Sequence, residues 1–270
     1  MVSWPAQTEA DLGQQEKAVQ DSWMKELEGA DVVINLAGES IAARRWSPAQ
    51  KRRIQESRLK ATRALVEAIS RCQAPPKALI SGSAVGFYGP CGDETVTEEA
   101  PPGKDFLSEV CSLWEREALR AEKYGVRVVL LRTGLVLGRQ GGALPRMLLP
   151  FQLFLGGPLG SGRQWVPWIH IEDVVGLVRY LVDHPNASGP FNVTAPEPQR
   201  NREFSRIAAG VLRRPCWLPA PAAALRLALG EMADALLLSG QKAIPQRALD
   251  LGYKFRYVDL TKALENLLRS

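Results

Sequence analysis

The chain has 270 residues, 46% hydrophobic and 23% charged, the balance of a globular chain long enough for one large domain or a domain with a smaller lobe. No apolar run approaches the ~18 residues a membrane span needs, and the start Met1-Val2-Ser3-Trp4-Pro5 has neither the basic nor the apolar region of a signal peptide. The net charge of +5 is spread without an aromatic-interleaved basic patch, which argues against nucleic acid.

Four scattered cysteines, Cys72, Cys91, Cys111 and Cys216, form no C-x-x-C pair. They read as free thiols in a reducing, cytoplasmic compartment. The two histidines, His170 and His184, are too few for a histidine metal site, and only His170 could serve a Ser-His-Asp triad.

In chain order, residues 1–5 read as the tail of a strand and 6–29 as a polar connection with a helical turn near Asp21 to Leu27. Asp31-Val32-Val33-Ile34-Asn35-Leu36-Ala37-Gly38-Glu39 is a buried parallel strand over 31–37 ending in a small-residue turn. Ligands in open α/β sheets bind beyond the strands' carboxyl ends, where Leu36, Ala37 and Gly38 let backbone approach a flat cofactor. Ser47-Pro48-Ala49-Gln50 starts a helix running to about Ser70, with Ser47 as N-cap, Pro48 at the first position and Gln50 completing a capping box. Arg58 falls on its apolar stripe of Ile54, Ala61, Leu65 and Ile69. A cation there needs a carboxylate or a bound anion, unless it snorkels outward.

Ala78-Leu79-Ile80 is a second strand, followed by the hydroxyl- and glycine-rich Ser81 to Gly89. A helix spans Phe106 to Tyr124, stopped by Gly125. A third strand, Val126 to Leu131, runs into Arg132-Thr133-Gly134-Leu135. The pattern is βαβαβ, a parallel sheet. Beyond Gly138 come a helix with loops, a helix over 173–182, a strand near 191–193, a helix over 202–213 capped by Asn201, one opened by Pro221 and reaching about Leu238, and a last helix near 260–268.

Several stretches together resemble the extended short-chain dehydrogenase/reductase superfamily, in its atypical epimerase-like branch with a small uncharacterised C-terminal domain. They are Asn35 to Glu39, Arg45-Trp46 with Ser57-Arg58, Ser81 to Gly89, Arg132 to Gly138, Pro167-Trp168-Ile169-His170, and Gly240-Gln241-Lys242-Ala243-Ile244-Pro245-Gln246-Arg247. The resemblance implies a Rossmann-like parallel sheet lacking its first strands, with a smaller α-rich C-terminal lobe. It implies an NAD(P)-binding domain over 1–138, a substrate lobe over 139–270, and the family-specific C-terminal domain at about 215–265. It assigns Leu36, Ala37, Arg58 and Leu135 to the cofactor, NADP or NAD, beside the Gly38 that the turn itself offers, with the basic Arg58 leaning towards NADP. It assigns Ser83 and Tyr88 to the reacting oxygen of a small-molecule substrate.

Two departures from the family stand out. No Gly-Gly-Thr-Gly-Phe-Ile-Gly-type pyrophosphate turn is present, and Met1 falls where the third strand should end. Either the true start lies upstream, or the protein is shortened and holds dinucleotide weakly. No tyrosine has a lysine four residues on, so the superfamily's proton-exchanging Tyr-x-x-x-Lys pair is missing; its positions fall on Leu107 and Cys111. An NAD(P)-dependent oxidoreductase or epimerase of unknown substrate is the leading expectation. A non-catalytic dinucleotide-binding regulatory protein is the alternative, and a remnant that binds nothing the third.

Overall fold

The structure, a computed structural model, describes Trp23 and residues 25–269. The expected strand at 1–5 and much of the connection after it lie outside the described residues. The central sheet is four parallel strands in the order β1 (Val32–Asn35), β2 (Ala78–Ala84), β4 (Arg127–Thr133) and β8 (Gly189–Val193). Thr95–Val96 forms the short β3 between them in sequence. Small pairs surround this core: β5 (Leu135–Leu137) with β7 (Trp168–His170), and β6 (Trp165–Val166) with β9 (Gln199–Arg200). The helices are α1 (Pro48–Ile69), α2 (Phe106–Leu119), α3 (Leu144–Gln152), α4 (Ile171–Asp183), α5 (Asn201–Leu212), α6 (Ala222–Leu229), α7 (Glu231–Ala233), α8 (Gln246–Asp250) and α9 (Leu260–Arg269). The late strand β10 (Lys242–Ala243) returns to pair with β3.

Side chains alternate across a strand, and both faces of this sheet are covered. Leu79, Val128 and Leu130 meet Leu65, Val66 and Ile69 of α1 and Ala118 of α2. Ile80, Val129 and Leu131 meet Leu177 and Leu181 of α4 with Ile169 and Phe191. Continuous apolar runs are what such doubly covered strands require, and each fully buried aliphatic residue contributes about 1.5–3 kcal/mol. A further cluster joins Leu137, Trp168 and Phe204 to Leu260, Ala263 and Leu264 of α9. This is the α-rich side of the molecule. Among the described residues β1 is the sheet's edge, and its Ile34 is half exposed.

The structure departs from the sequence expectations in several places, each with a local cause. The first strand stops at Asn35 instead of running to 37, because Asn35 Oδ1 accepts from Ala37 N at 3.2 Å. Ser47 does cap α1, accepting from Gln50 N at 3.1 Å, but Gln50 does not close a capping box: its Nε2 donates to Glu39 Oε1 at 3.3 Å. The second strand continues to Ala84, because Gly82, Ser83 and Ala84 keep their register with Leu131, Arg132 and Thr133. Asn201 is the first residue of α5, not its cap, and its Oδ1 accepts from Leu159 N at 2.7 Å. The helix opened by Pro221 breaks at Gly230, whose φ of 63° with ψ of −143° suits only glycine. Phe106 to Leu119 is α-helical and tightens into a 3₁₀ turn over Arg120–Tyr124 before Gly125 stops it in the left-handed region.

His170 caps α4, and its ring fixes the α-rich side. Nδ1 accepts from Glu172 N at 3.0 Å, so the proton sits on Nε2, which donates to Asn266 Oδ1 at 3.1 Å. The ring stacks on Tyr257 with centroids 3.8 Å apart. The neighbouring Asp173 carboxylate accepts from Arg256 N and Tyr257 N at 2.8 and 2.9 Å. Burial depresses the His170 pKa below its ordinary 6.5. The fold therefore favours the neutral ring. Its stabilisation is complete above the unfolded-state pKa and is lost as pH falls from there towards the depressed folded value. The melting midpoint should drop as pH is lowered through about 6.5, and His170→Asn, which keeps a capping acceptor but cannot titrate, should flatten that part of the profile.

Candidate functional site

All of the predicted cofactor residues but Arg58 lie beyond the carboxyl ends of two strands of the sheet, β1 and β4. Leu36, Ala37 and Gly38 follow β1 and are exposed. Leu135 follows β4 and is half buried, tied down by its N–H donating to Pro167 O at 2.7 Å. β2 lies between, so the two walls stand about 10 Å apart across the strand direction.

Arg58 reaches this edge from α1. Its Nη1 donates to Glu39 O and Ile54 O, both at 2.9 Å, and its guanidinium lies 5.1 Å from the Trp114 ring centroid. Gly38 sits directly over it: a Cβ there would come within 3.1 Å of the guanidinium carbon. Nε and Nη2 of Arg58 carry no hydrogen bond among the described residues. The cation on the apolar stripe thus neither snorkels into solvent nor meets a carboxylate. It is clamped by carbonyls and an aromatic face, with donors to spare for an anion. Thr62 Oγ1, fully buried, locks this corner by accepting from Asn35 Nδ2 and Trp114 Nε1, both at 2.9 Å. Gly82 makes the indole's seat, since a Cβ there would lie 2.7 Å from it.

Ser83 and Tyr88 belong to a different, buried constellation centred on Arg132. Arg132 grips Glu115 with Nε to Oε1 at 2.8 Å and Nη2 to Oε2 at 2.9 Å. Ser83 Oγ donates to Glu115 Oε1 at 2.6 Å. The Tyr88 hydroxyl accepts from Arg132 Nη1 at 3.1 Å and donates to Asn192 Oδ1 at 2.6 Å. Arg132 Nη1 also reaches Glu98 O at 3.1 Å, and the guanidinium stacks on Phe87 at 3.5 Å. Both hydroxyls are therefore brought together but held in committed hydrogen bonds. Burial pushes the Tyr88 phenol up to about 12, where it stays protonated. It pushes the Cys111 thiol up to about 12 as well, which leaves that sulfur a poor nucleophile.

The network extends into the last fifty residues. Glu98 accepts from Asn192 N at 2.9 Å and Arg247 N at 3.3 Å; Asn192 Nδ2 donates to Ile244 O at 2.9 Å. Gln241 Nε2 donates to Gly89 O at 2.8 Å, and a Cβ on Gly240 would strike Trp165 O at 1.9 Å. The Gly240 to Arg247 motif is thus a latch onto the sheet's carboxyl end. Arg132, Glu115, Glu98 and Asn192 had not been singled out as site residues. The available signal was a lone cation ending the apolar run Val128 to Leu131.

A parallel sheet covered on both faces, with its exposed small-residue turn at the carboxyl edge, defines an open α/β protein of the class that binds its ligands at that edge. The sequence pattern of the NAD dependent epimerase/dehydratase family matches residues 7–194, and that of a domain of unknown function, DUF1731, matches 220–267. The chain belongs to the NAD dependent epimerase/dehydratase family. It is 44% identical over 254 residues to the epimerase family protein SDR39U1 homolog, chloroplastic, of Arabidopsis thaliana, covering 93% of this chain and 72% of that one. It is 45% identical over 245 residues to the epimerase family protein YfhF of Bacillus subtilis, covering 90% and 80%. The human epimerase family protein SDR39U1 (isoform 2), solved with NADPH, superposes with a TM-score of 0.88 at 37% identity, covering 93% of this chain and 86% of that one.

Removing Glu115 strands a buried guanidinium. Glu115→Ala should cost about 3–5 kcal/mol in chemical denaturation. Ser83→Ala, which leaves the Arg132–Glu115 pair whole, should cost only about 1 kcal/mol.

Proposed function

We propose that this chain binds NADPH along the carboxyl edge of its sheet and serves as an NAD(P)-dependent oxidoreductase or epimerase on a small, sugar-like molecule. The observation that carries the reading is the Arg58–Gly38 stack: exposed, side-chain-free backbone lying over a clamped guanidinium with two unused donors. The residues fit one end of a dinucleotide. Leu36, Ala37 and Gly38 offer a flat wall, Leu135 an apolar one opposite, and Arg58 a fork for a phosphate or ribose oxygen. No glycine-rich strand-to-helix turn stands among the described residues, so the fit covers the cofactor in part. When bound, the nicotinamide would accept or give a hydride.

Ser83 and Tyr88 would hold the substrate oxygen only by exchanging partners they now engage. This is the observation behind the second reading, a dinucleotide-binding protein without turnover. Residues 1–138 would then carry the cofactor, and 139–270, with the latch domain at about 215–265, would close over it in the cytoplasm.

Ligand binding to the folded state raises the melting midpoint by an amount set by concentration over Kd. At a hundredfold excess over Kd, NADPH should raise it by about 5–10 °C. NADH should raise it less, and Arg58→Ala should lose the shift. No shift with either nucleotide would overturn dinucleotide binding, and a shift that survives Arg58→Ala would overturn the role of that residue. NADPH consumption with aldehydes, followed by absorbance, together with chromatographic conversion of nucleotide sugars, which an epimerase carries out with no net loss of cofactor, separates the enzyme from the binder when wild type is set beside Ser83→Ala.

A further inference from the structure

The two loops at residues 153–157 and 213–218 together present an exposed apolar prominence. Leu153, Phe154, Leu155, Trp217 and Leu218 are between 42% and 64% exposed. The loops are built as one unit. Gly156 O accepts from Trp217 N and Leu218 N at 3.1 and 3.2 Å, and Trp217 Nε1 donates to Phe154 O at 3.0 Å. A Cβ on Gly157 would lie 2.1 Å from Leu218 O, so the backbones touch. The two non-glycine residues with left-handed φ among the described residues, Phe154 at 63° and Arg213 at 55°, are both here. Such conformations disfavour bulky side chains, and here they hold a phenyl ring and a guanidinium outward.

Charge sets what can cover this prominence. Residues 139–171 and 204–230 contain no Asp or Glu and seven arginines. These seven exceed the chain's net charge of +5, so the rest of the molecule is slightly acidic. Arg206 and Arg226 are neutralised by Glu203 and Asp234. Arg213 and Arg214, beside Trp217, have no carboxylate partner among the described residues; the Arg214 guanidinium rests 4.6 Å from the Phe154 ring centroid. A second copy docking here about a two-fold axis would bring the same cations together. An apolar tip collared by unpaired arginines is matched instead by an interface that is apolar inside and anionic outside.

We propose that this prominence docks the protein on an anionic lipid bilayer. Trp217, Phe154 and the leucines enter the headgroup boundary while Arg213 and Arg214 meet lipid phosphates. No helix among the described residues is long and apolar enough to cross a membrane, so the attachment is peripheral.

The test is co-sedimentation of the full chain with vesicles of phosphatidylcholine alone or with added phosphatidylserine, with size-exclusion light scattering alongside. The chain should sediment with the anionic vesicles, should be released by salt, and should ignore the neutral ones. Arg213→Glu combined with Arg214→Glu should weaken binding by about 30-fold. Phe154→Gly is the decisive variant. It relieves a strained backbone and should raise the melting midpoint while lowering vesicle binding, a pairing that a loss of folding cannot give. Equal binding to both vesicles, no binding to either, or unchanged binding by the variants would overturn the proposal. So would a dimer that Trp217→Ser dissolves, which would give this face to a second copy.

Discussion

A guanidinium buried at the end of a sheet strand must be answered on every side, and Arg132 is. Both oxygens of Glu115 meet it in a fork, Tyr88 and the Glu98 carbonyl take its remaining reach, and Phe87 covers its face. Desolvating such a pair offsets much of its attraction, so its role is less to add net stability than to penalise any arrangement that leaves it incomplete. Glu115 comes from α2, Tyr88 from the turn after β2, Glu98 from the loop after β3 and Asn192 from β8. Arg132 is satisfied directly by the first three, and Asn192 holds the Tyr88 hydroxyl that meets it. The shape of the carboxyl edge follows from that requirement.

The neighbouring corner obeys the same logic with neutral groups. Thr62 accepts from a strand residue and from an indole, and Asn35 spends its other end on the turn that exposes Leu36 to Gly38. One asparagine thus both ends the strand and anchors it to α1. Arg58 fits into the space so defined, and among the described residues no carboxylate forms an ion pair with it. The candidate ligand wall and the structural locks behind it are made by neighbouring residues of the same short segments.

How legible this was in the sequence depended on how local the cause is. Apolar runs marked the strands because both their faces are covered, and Ser47-Pro48 marked the start of α1 because the cap needs only its own turn. Arg58 was visible because a cation on an apolar stripe breaks a pattern. Gln50 and Asn201 misled because their side chains bond to residues 11 and 42 positions away instead of capping locally. Ser83 and Tyr88 looked available because the groups that engage them, Glu115 and Asn192, are 32 and 104 positions away. Spacing reveals secondary structure; it does not reveal which polar groups a tertiary fold will pair.

The latch formed by residues 240 to 247 bears on how such a chain can be divided. Two separate sequence patterns meet it, one ending at 194 and one starting at 220. Cutting between them would take Ile244 O from Asn192, Arg247 N from Glu98 and Gln241 from Gly89, and would leave β3 without its partner strand. Of the residues so orphaned, Glu98 stands one hydrogen bond from Arg132 and Asn192 two. The boundary that evolution's bookkeeping draws is therefore not one the folded chain recognises: the C-terminal segment is less a module appended to a nucleotide-binding domain than the last piece of its interior, and neither portion has a complete core to inherit alone.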